Sequence, residues 1–183
     1  MKAKSIGLIE LSSIAAGFAV ADSALKAGDV RLVLSRSICS GKYMVLIAGD
    51  TAGVESAVGT AIESAGGCLI DHTVISNLHE DVFTALGRTS PAEPTGALGI
   101  VESFNVATLI RAADAAAKTA DVVLLEIRLA MALGGKAFAT MTGDVSSVQA
   151  AVAAARAVIA EAGVLVNSVV IPRPHPDVYR EIV

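Results

Sequence analysis

This sequence of 183 residues lacks Trp, has only 3% aromatic residues and carries just two cysteines, Cys39 and Cys68. Few rings, no Lys/Arg cluster and a net charge of −4 argue against a nucleic-acid partner. The two cysteines form no C-x-x-C spacing, so one chain alone offers neither the four thiolates of an iron–sulfur cluster nor a four-cysteine or paired Cys/His zinc site. Charged residues make up only 17%, below the usual quarter. So little charge implies that neighbouring subunits cover part of the exterior. No apolar run nears the roughly 20 residues of a membrane span. The start, MKAKSIGLIEL, leads straight into a strand without a signal-peptide apolar region. The expected location is therefore cytoplasmic, with reduced thiols. A phosphate-cradling glycine loop after a strand, a nucleophile elbow and a zincin helix are all missing, so no enzymatic activity is expected.

What the sequence has is Ala- and Val-rich hydrophobic content, 54% in all, arranged twice. Residues 6–36 (IGLIELSSIAAGFAVADSALKAGDVRLVLSR) recur as residues 98–128 (LGIVESFNVATLIRAADAAAKTADVVLLEIR). Gly7, Glu10, Asp22, Lys26, Asp29 and Arg36 meet Gly99, Glu102, Asp114, Lys118, Asp121 and Arg128. After a slip of two residues, Gly41-Lys42 meets Gly135-Lys136 and Gly49-Asp50 meets Gly143-Asp144. After two more, His79 meets His175 and Asp81-Val82 meets Asp177-Val178. Self-similarity with small slips means tandem domains with loop insertions. Domain one spans residues 4–86, a Pro-containing linker 87–96, and domain two 97–183. Each is about 85 to 90 residues long, small enough that mutual packing or oligomerisation helps stability.

Periodicity predicts the same elements in each copy. Residues 6–11 read as a buried strand, with Ser12 or Ser13 as N-cap of the following helix. Ile14, Phe18, Ala21 and Leu25 form one apolar helix stripe, repeated by Val106, Ile110, Ala113 and Ala117. Residues 30–38 and 43–48 are strands joined by the turn Cys39-Ser40-Gly41-Lys42. A helix at 51–65, a strand at 69–75 and a short helix at 79–86 complete the unit. The fold class is thus α+β, each domain β-α-β-β-α-β-α with helices on one side of an antiparallel-containing sheet.

These repeated elements resemble the bacterial microcompartment shell-protein family. The residues carrying the resemblance are Gly7-Leu8-Ile9-Glu10 and Gly99-Ile100-Val101-Glu102, the helix pattern Ala21-Asp22-x-x-x-Lys26 and Ala113-Asp114-x-x-x-Lys118, and the two Gly-Lys turns. Both copies begin at the first strand, which is similar to the tandem, non-permuted type. Ser35-Arg36-Ser37-Ile38-Cys39-Ser40-Gly41-Lys42 looks most like the branch from propanediol-utilisation compartments. The resemblance implies a homotrimer imitating a hexameric tile, assembling with other microcompartment shell proteins and enclosing enzymes, redox enzymes among them.

For the site residues, the resemblance implies that Cys39 reaches a central pore where three copies hold a [4Fe–4S] cluster, used for electron transfer across the shell. A threefold axis gathers three thiolates around one point, leaving the fourth ligand open. The same thiolates also suit a single Zn with an open position, and the plainer alternative is an unliganded thiol lining an open metabolite pore. A more distant alternative is a duplicated soluble redox or sensor protein. Ile38, Ser40 and Gly41, with Leu133, Gly134 and Gly135 of the longer second turn (residues 130–136), are the expected pore-lining positions. Lys26 and Lys118 read as i,i+4 partners of Asp22 and Asp114; the resemblance places them, with Arg173, at the tile edge. Copy one has Ser76-Asn77-Leu78-His79 where copy two has Pro172-Arg173-Pro174-His175, and so lacks that arginine. His79 and His175 are expected to cap or pack, Glu10 and Glu102 to be hydrogen-bonded structural carboxylates, and Cys68 to be a small core hydrophobe.

Overall fold

The computed structural model describes residues 4–86, 95–130 and 133–180, and the chain divides into two compact units between Leu78 and His79. The first unit contains β1 (Ser5–Leu11), α1 (Ile14–Ala27), β2 (Val30–Ile38), β3 (Lys42–Gly49), α2 (Thr51–Ala65) and β4 (Leu69–Ile75). Its strands form one antiparallel sheet in the order β2-β3-β1-β4. The second unit runs α3 (Glu80–Leu86), β5 (Ala97–Ser103), α4 (Val106–Thr119), β6 (Val123–Leu129), β7 (Ala137–Gly143), α5 (Val145–Glu161), β8 (Leu165–Ile171) and α6 (Pro176–Arg180). Its sheet order is β6-β7-β5-β8, again antiparallel. Residues 87–94 of the expected linker lie outside the described residues.

Side-chain caps start three of the helices, Ser13 among them as expected. Ser13 Oγ accepts the Ala16 N–H at 3.3 Å, Asp50 Oδ1 that of Gly53 at 2.7 Å and Asn105 Oδ1 that of Thr108 at 2.8 Å. In the first unit α1 and α2 pack on the sheet over Ile9, Leu11, Val20, Ala24, Tyr43, Val45, Ile47, Val54 and Ala57. Gly7 permits the close approach of α2, because a Cβ there would collide with Val58 and Val54. Gly99 plays the same part, its imagined Cβ falling 2.7 Å from Val152 and 2.8 Å from Val148. The duplication extends to irregularities. A β-bulge at Leu32/Leu34 recurs at Leu124/Glu126, and one at Glu10/Leu11 recurs at Glu102/Ser103.

Two features depart from simple repetition. The helix closing the first sequence copy, α3, packs on β6 and α4, so in space it belongs to the second unit. Val82, Ala85 and Leu86 bury its apolar side there, and the His79 N–H donates to Asp114 Oδ1 at 2.8 Å. The apolar stripe of α1 is not its core face either. Gly17, Val20, Ala21 and Ala24 are buried, whereas Ile14, Phe18 and Leu25 are exposed. Gly17 sets this rotation by letting the helix rest on the Tyr43 ring, which leaves no room for a Cβ. In α4 the equivalent stripe is buried.

Candidate functional site

The β2–β3 connection is one turn of 3-10 helix, Cys39–Gly41, following the last strand pair, Ile38 with Lys42. Cys39 opens that turn and is half-buried; no disulfide joins it to Cys68. Ile38 is buried. Gly41 is exposed, with φ +73° and open space where a Cβ would be. Its requirement is therefore conformational, since L side chains rarely adopt that region. Among the described residues no three His, Cys, Asp or Glu side chains cluster as a metal site. One chain presents Cys39 as a single soft donor at a strand tip.

The equivalent β6–β7 connection has no thiol. The Ala130 N–H donates to the Lys136 carbonyl at 3.1 Å, and the Lys136 N–H to the Leu133 carbonyl at 3.2 Å. Ala130, Gly134 and Gly135 all take positive φ, at +46°, +62° and +86°. Met131 and Ala132 lie outside the described residues. Leu133 is half-buried and Gly134 exposed.

Below each turn stands an ion pair that sequence reasoning missed. Lys42 Nζ donates to Glu10 Oε1 at 2.8 Å, and Lys136 Nζ lies 2.8 Å from Glu102 Oε1. Glu10 and Glu102 are thus structural carboxylates, as expected, but their partners are the lysines of the Gly-Lys turns. The signal was present, since glutamate and lysine repeat together. Nearby, Ser35 Oγ and Tyr43 OH lie 2.9 Å apart, and Tyr43 packs against Phe18 with ring centroids 5.2 Å apart. These contacts fix the strands that carry Cys39.

At the expected edge, Lys26 Nζ donates to Asp22 Oδ2 and Lys118 Nζ to Asp114 Oδ2, both at 2.6 Å. Lys26 and Asp22 are exposed, whereas Asp114 is nearly buried. Arg173 is exposed in the bend between β8 and α6. His79 and His175 are caps: each Nδ1 accepts the N–H of Asp81 or Asp177 at 3.3 Å. Cys68 packs against the first core.

Comparison with known proteins agrees with this geometry. The BMC domain family model matches residues 5–78 and again 97–174. The chain is 39% identical to the bacterial microcompartment shell protein PduT of Citrobacter freundii, over 98% of both chains. It is 41% identical to the shell protein EutM of Salmonella typhimurium over 81 residues, 44% of this chain and 82% of that one. Among solved structures, a microcompartment protein from Desulfitobacterium hafniense superposes with TM-score 0.93 at 48% identity, covering 96% of this chain and 98% of that one. A fused permuted hexameric shell protein of the RMM microcompartment gives TM-score 0.62 at 23% identity, covering 85% and 81%, a likeness of fold alone. Among the described residues no helix is long and apolar enough to cross a membrane.

Proposed function

Since the chain belongs to the family of bacterial microcompartment shell proteins, we propose that three copies form a pseudo-hexameric tile whose central pore holds a [4Fe–4S] cluster on three Cys39 thiolates. The observation that carries this reading is the asymmetry of the two turns. Both connect equivalent strands, both end in Gly-Lys, and only the first presents a thiol. A single Cys39 ligates nothing by itself; a threefold axis multiplies it into a trigonal set of soft donors.

The chain's residues fit that use. The positive-φ backbone at Gly41 returns the chain sharply, with open space where a side chain would stand. The Lys42–Glu10 pair ties the base of the turn to the central strand β1, restricting where the sulfur can go. Leu133, Gly134 and Gly135 supply the alternating, ligand-free pore positions. A bound cluster supplies a one-electron couple, a route by which encapsulated redox enzymes exchange electrons with the outside while the pore stays closed to metabolites. Lys26, Lys118 and Arg173 stand at the edges where tiles meet each other and other shell proteins.

Anaerobic purification with iron analysis and visible absorption tests the reading. The expected result is about four irons per trimer and a charge-transfer band, both lost in Cys39→Ser. Colourless, iron-free protein would favour the open pore and overturn the cluster.

A further inference from the structure

The hairpin that ends in Cys39 carries hydroxyls where its counterpart in the second unit carries hydrocarbon. Ser35, Ser37 and Tyr43 lie on the helix-covered side of β2 and β3, and Ile127, Leu129 and Ala137 take their places on β6 and β7. The α1 residues beside the Tyr43 ring change with them: Gly17 and Phe18 are replaced by Leu109 and Ile110. These differences, drawn from α1, β2 and β3, meet at one phenol.

That phenol is placed to fasten an edge. In the order β2-β3-β1-β4, β2 is bonded to β3 alone, so side-chain links add to what holds its far end. Tyr43 is 2% exposed, and a buried phenol needs a partner for its hydroxyl. It finds Ser35 Oγ at 2.9 Å, diagonally across the ladder, since the register pairs Tyr43 with Ser37 and Ser35 with Val45. Gly17 lies against the ring with no room for a Cβ, and Phe18 stacks beside it at 5.2 Å between centroids, so the hydroxyl is a fixed point. On the opposite face Lys42 holds Glu10 at 2.8 Å. The unit with the thiol thus ties its hairpin on both faces. The other keeps Lys136–Glu102 and has Ile127 and Ala137 where the hydroxyl pair would be.

We infer that Tyr43 and Ser35 are positioning residues for Cys39: their hydrogen bond holds the end of β2 against β3, so that the sulfur leaves the hairpin in one direction. The inference deepens the cluster reading and rests on it for what the thiol holds, not for the tie itself. A site built from one donor per chain has no second ligand nearby to correct a misplaced one. Slack in the turn therefore counts three times over, and groups that orient a ligand govern how firmly metal is held.

Anaerobically purified protein tests the assignment. Tyr43→Phe, which keeps the ring and deletes the hydroxyl, and Ser35→Ala are each expected to release iron to a chelator roughly tenfold faster than the unmodified chain. Both should also alter the paramagnetic resonance spectrum of the reduced protein. Ser35→Thr restores a hydroxyl and should restore the rate and the spectrum. Ser56→Ala deletes a different hydroxyl bond of the same unit, to the Ala27 carbonyl at 3.1 Å, and should change neither. In iron-free protein carrying Cys68→Val, iodoacetamide should alkylate Cys39 roughly fivefold faster when Tyr43→Phe is added, the worth of one ordinary hydrogen bond. An unmodified chain that binds no iron overturns the cluster reading, and the alkylation rates then decide the tie. An iron-loaded chain whose Tyr43→Phe and Ser35→Ala variants keep the unmodified release rate overturns the positioning role and leaves the cluster. Equal acceleration in Ser56→Ala does the same, because it marks general loosening. Should Tyr43→Phe fail to fold, the contrast between Ser35→Ala and Ser35→Thr carries the decision.

Discussion

Lys42 reaches across the first sheet to Glu10 at 2.8 Å, and Lys136 does the same to Glu102 in the second. The two pairs match in length but not in burial, since the Glu10 side chain is 5% exposed and that of Glu102 29%. Removing Lys42 therefore strands a carboxylate that water barely reaches, while removing Lys136 leaves one that water can solvate. Lys42→Met is expected to cost on the order of 2 to 3 kcal/mol. Lys136→Met should cost about 1 kcal/mol or less. Urea unfolding of both variants checks the order, and a larger loss in Lys136→Met contradicts it.

Two glycines predict opposite outcomes for the same substitution. Gly17 lies against the Tyr43 ring with no space for a methyl group, whereas Gly59 in α2 has nothing within 4 Å of an added Cβ. Gly17→Ala forces α1 off the sheet and is expected to cost about 1 to 3 kcal/mol. Gly59→Ala relieves the helix of a flexible residue and should gain about 0.5 to 1 kcal/mol. Thermal midpoints of the two variants should move in opposite directions; a shared sign means that the Gly17–Tyr43 contact does not control α1.

Duplication made much of this architecture legible, because each element could be read twice with different residues filling the same pattern. The stripe on α1 shows where that reading stopped. Ile14, Phe18 and Leu25 form as regular a pattern as Val106, Ile110 and Ala117, and periodicity states only that a face is apolar, not what lies on it. α3 closes the first sequence copy yet packs within the second unit, since chain order does not determine which surface a short helix covers. The Glu10–Lys42 pair was hidden by distance in sequence: its members lie on strands that become neighbours only through the β1–β3 register. For Cys39 the turn and its asymmetry were legible, whereas the proposed trigonal site draws on three chains, which no single sequence displays.

Edge contacts can be separated from folding. Lys26 is 73% exposed in its pair with Asp22, so the pair contributes no more than a few tenths of a kcal/mol to the helix. Lys26→Ala combined with Lys118→Ala should leave circular dichroism and the sedimenting species unchanged. If these lysines meet their counterparts across a seam, electron microscopy of concentrated protein should then show dispersed particles where the unmodified chain gives sheets or tubes. Unaltered ordered layers would remove both lysines from the edge.

The two thiols should behave as different chemical groups. Cys68 packs against the first core, and its carbonyl accepts the Ser12 N–H at 2.8 Å. In the second unit the carbonyl of Val164 accepts the Phe104 N–H at 2.9 Å from the equivalent place, so the fold already tolerates a branched hydrocarbon there. Cys68→Val adds about one methyl group at a half-buried position, keeps the backbone bond, and is expected to change stability by less than about 1 kcal/mol. Iron content should match that of the unmodified chain, because Cys68 is held in the core and Cys39 in the turn. Equal loss of iron from Cys68→Val and Cys39→Ser would show that metal binding follows thiol number rather than the pore turn, and the trigonal site would have to be abandoned.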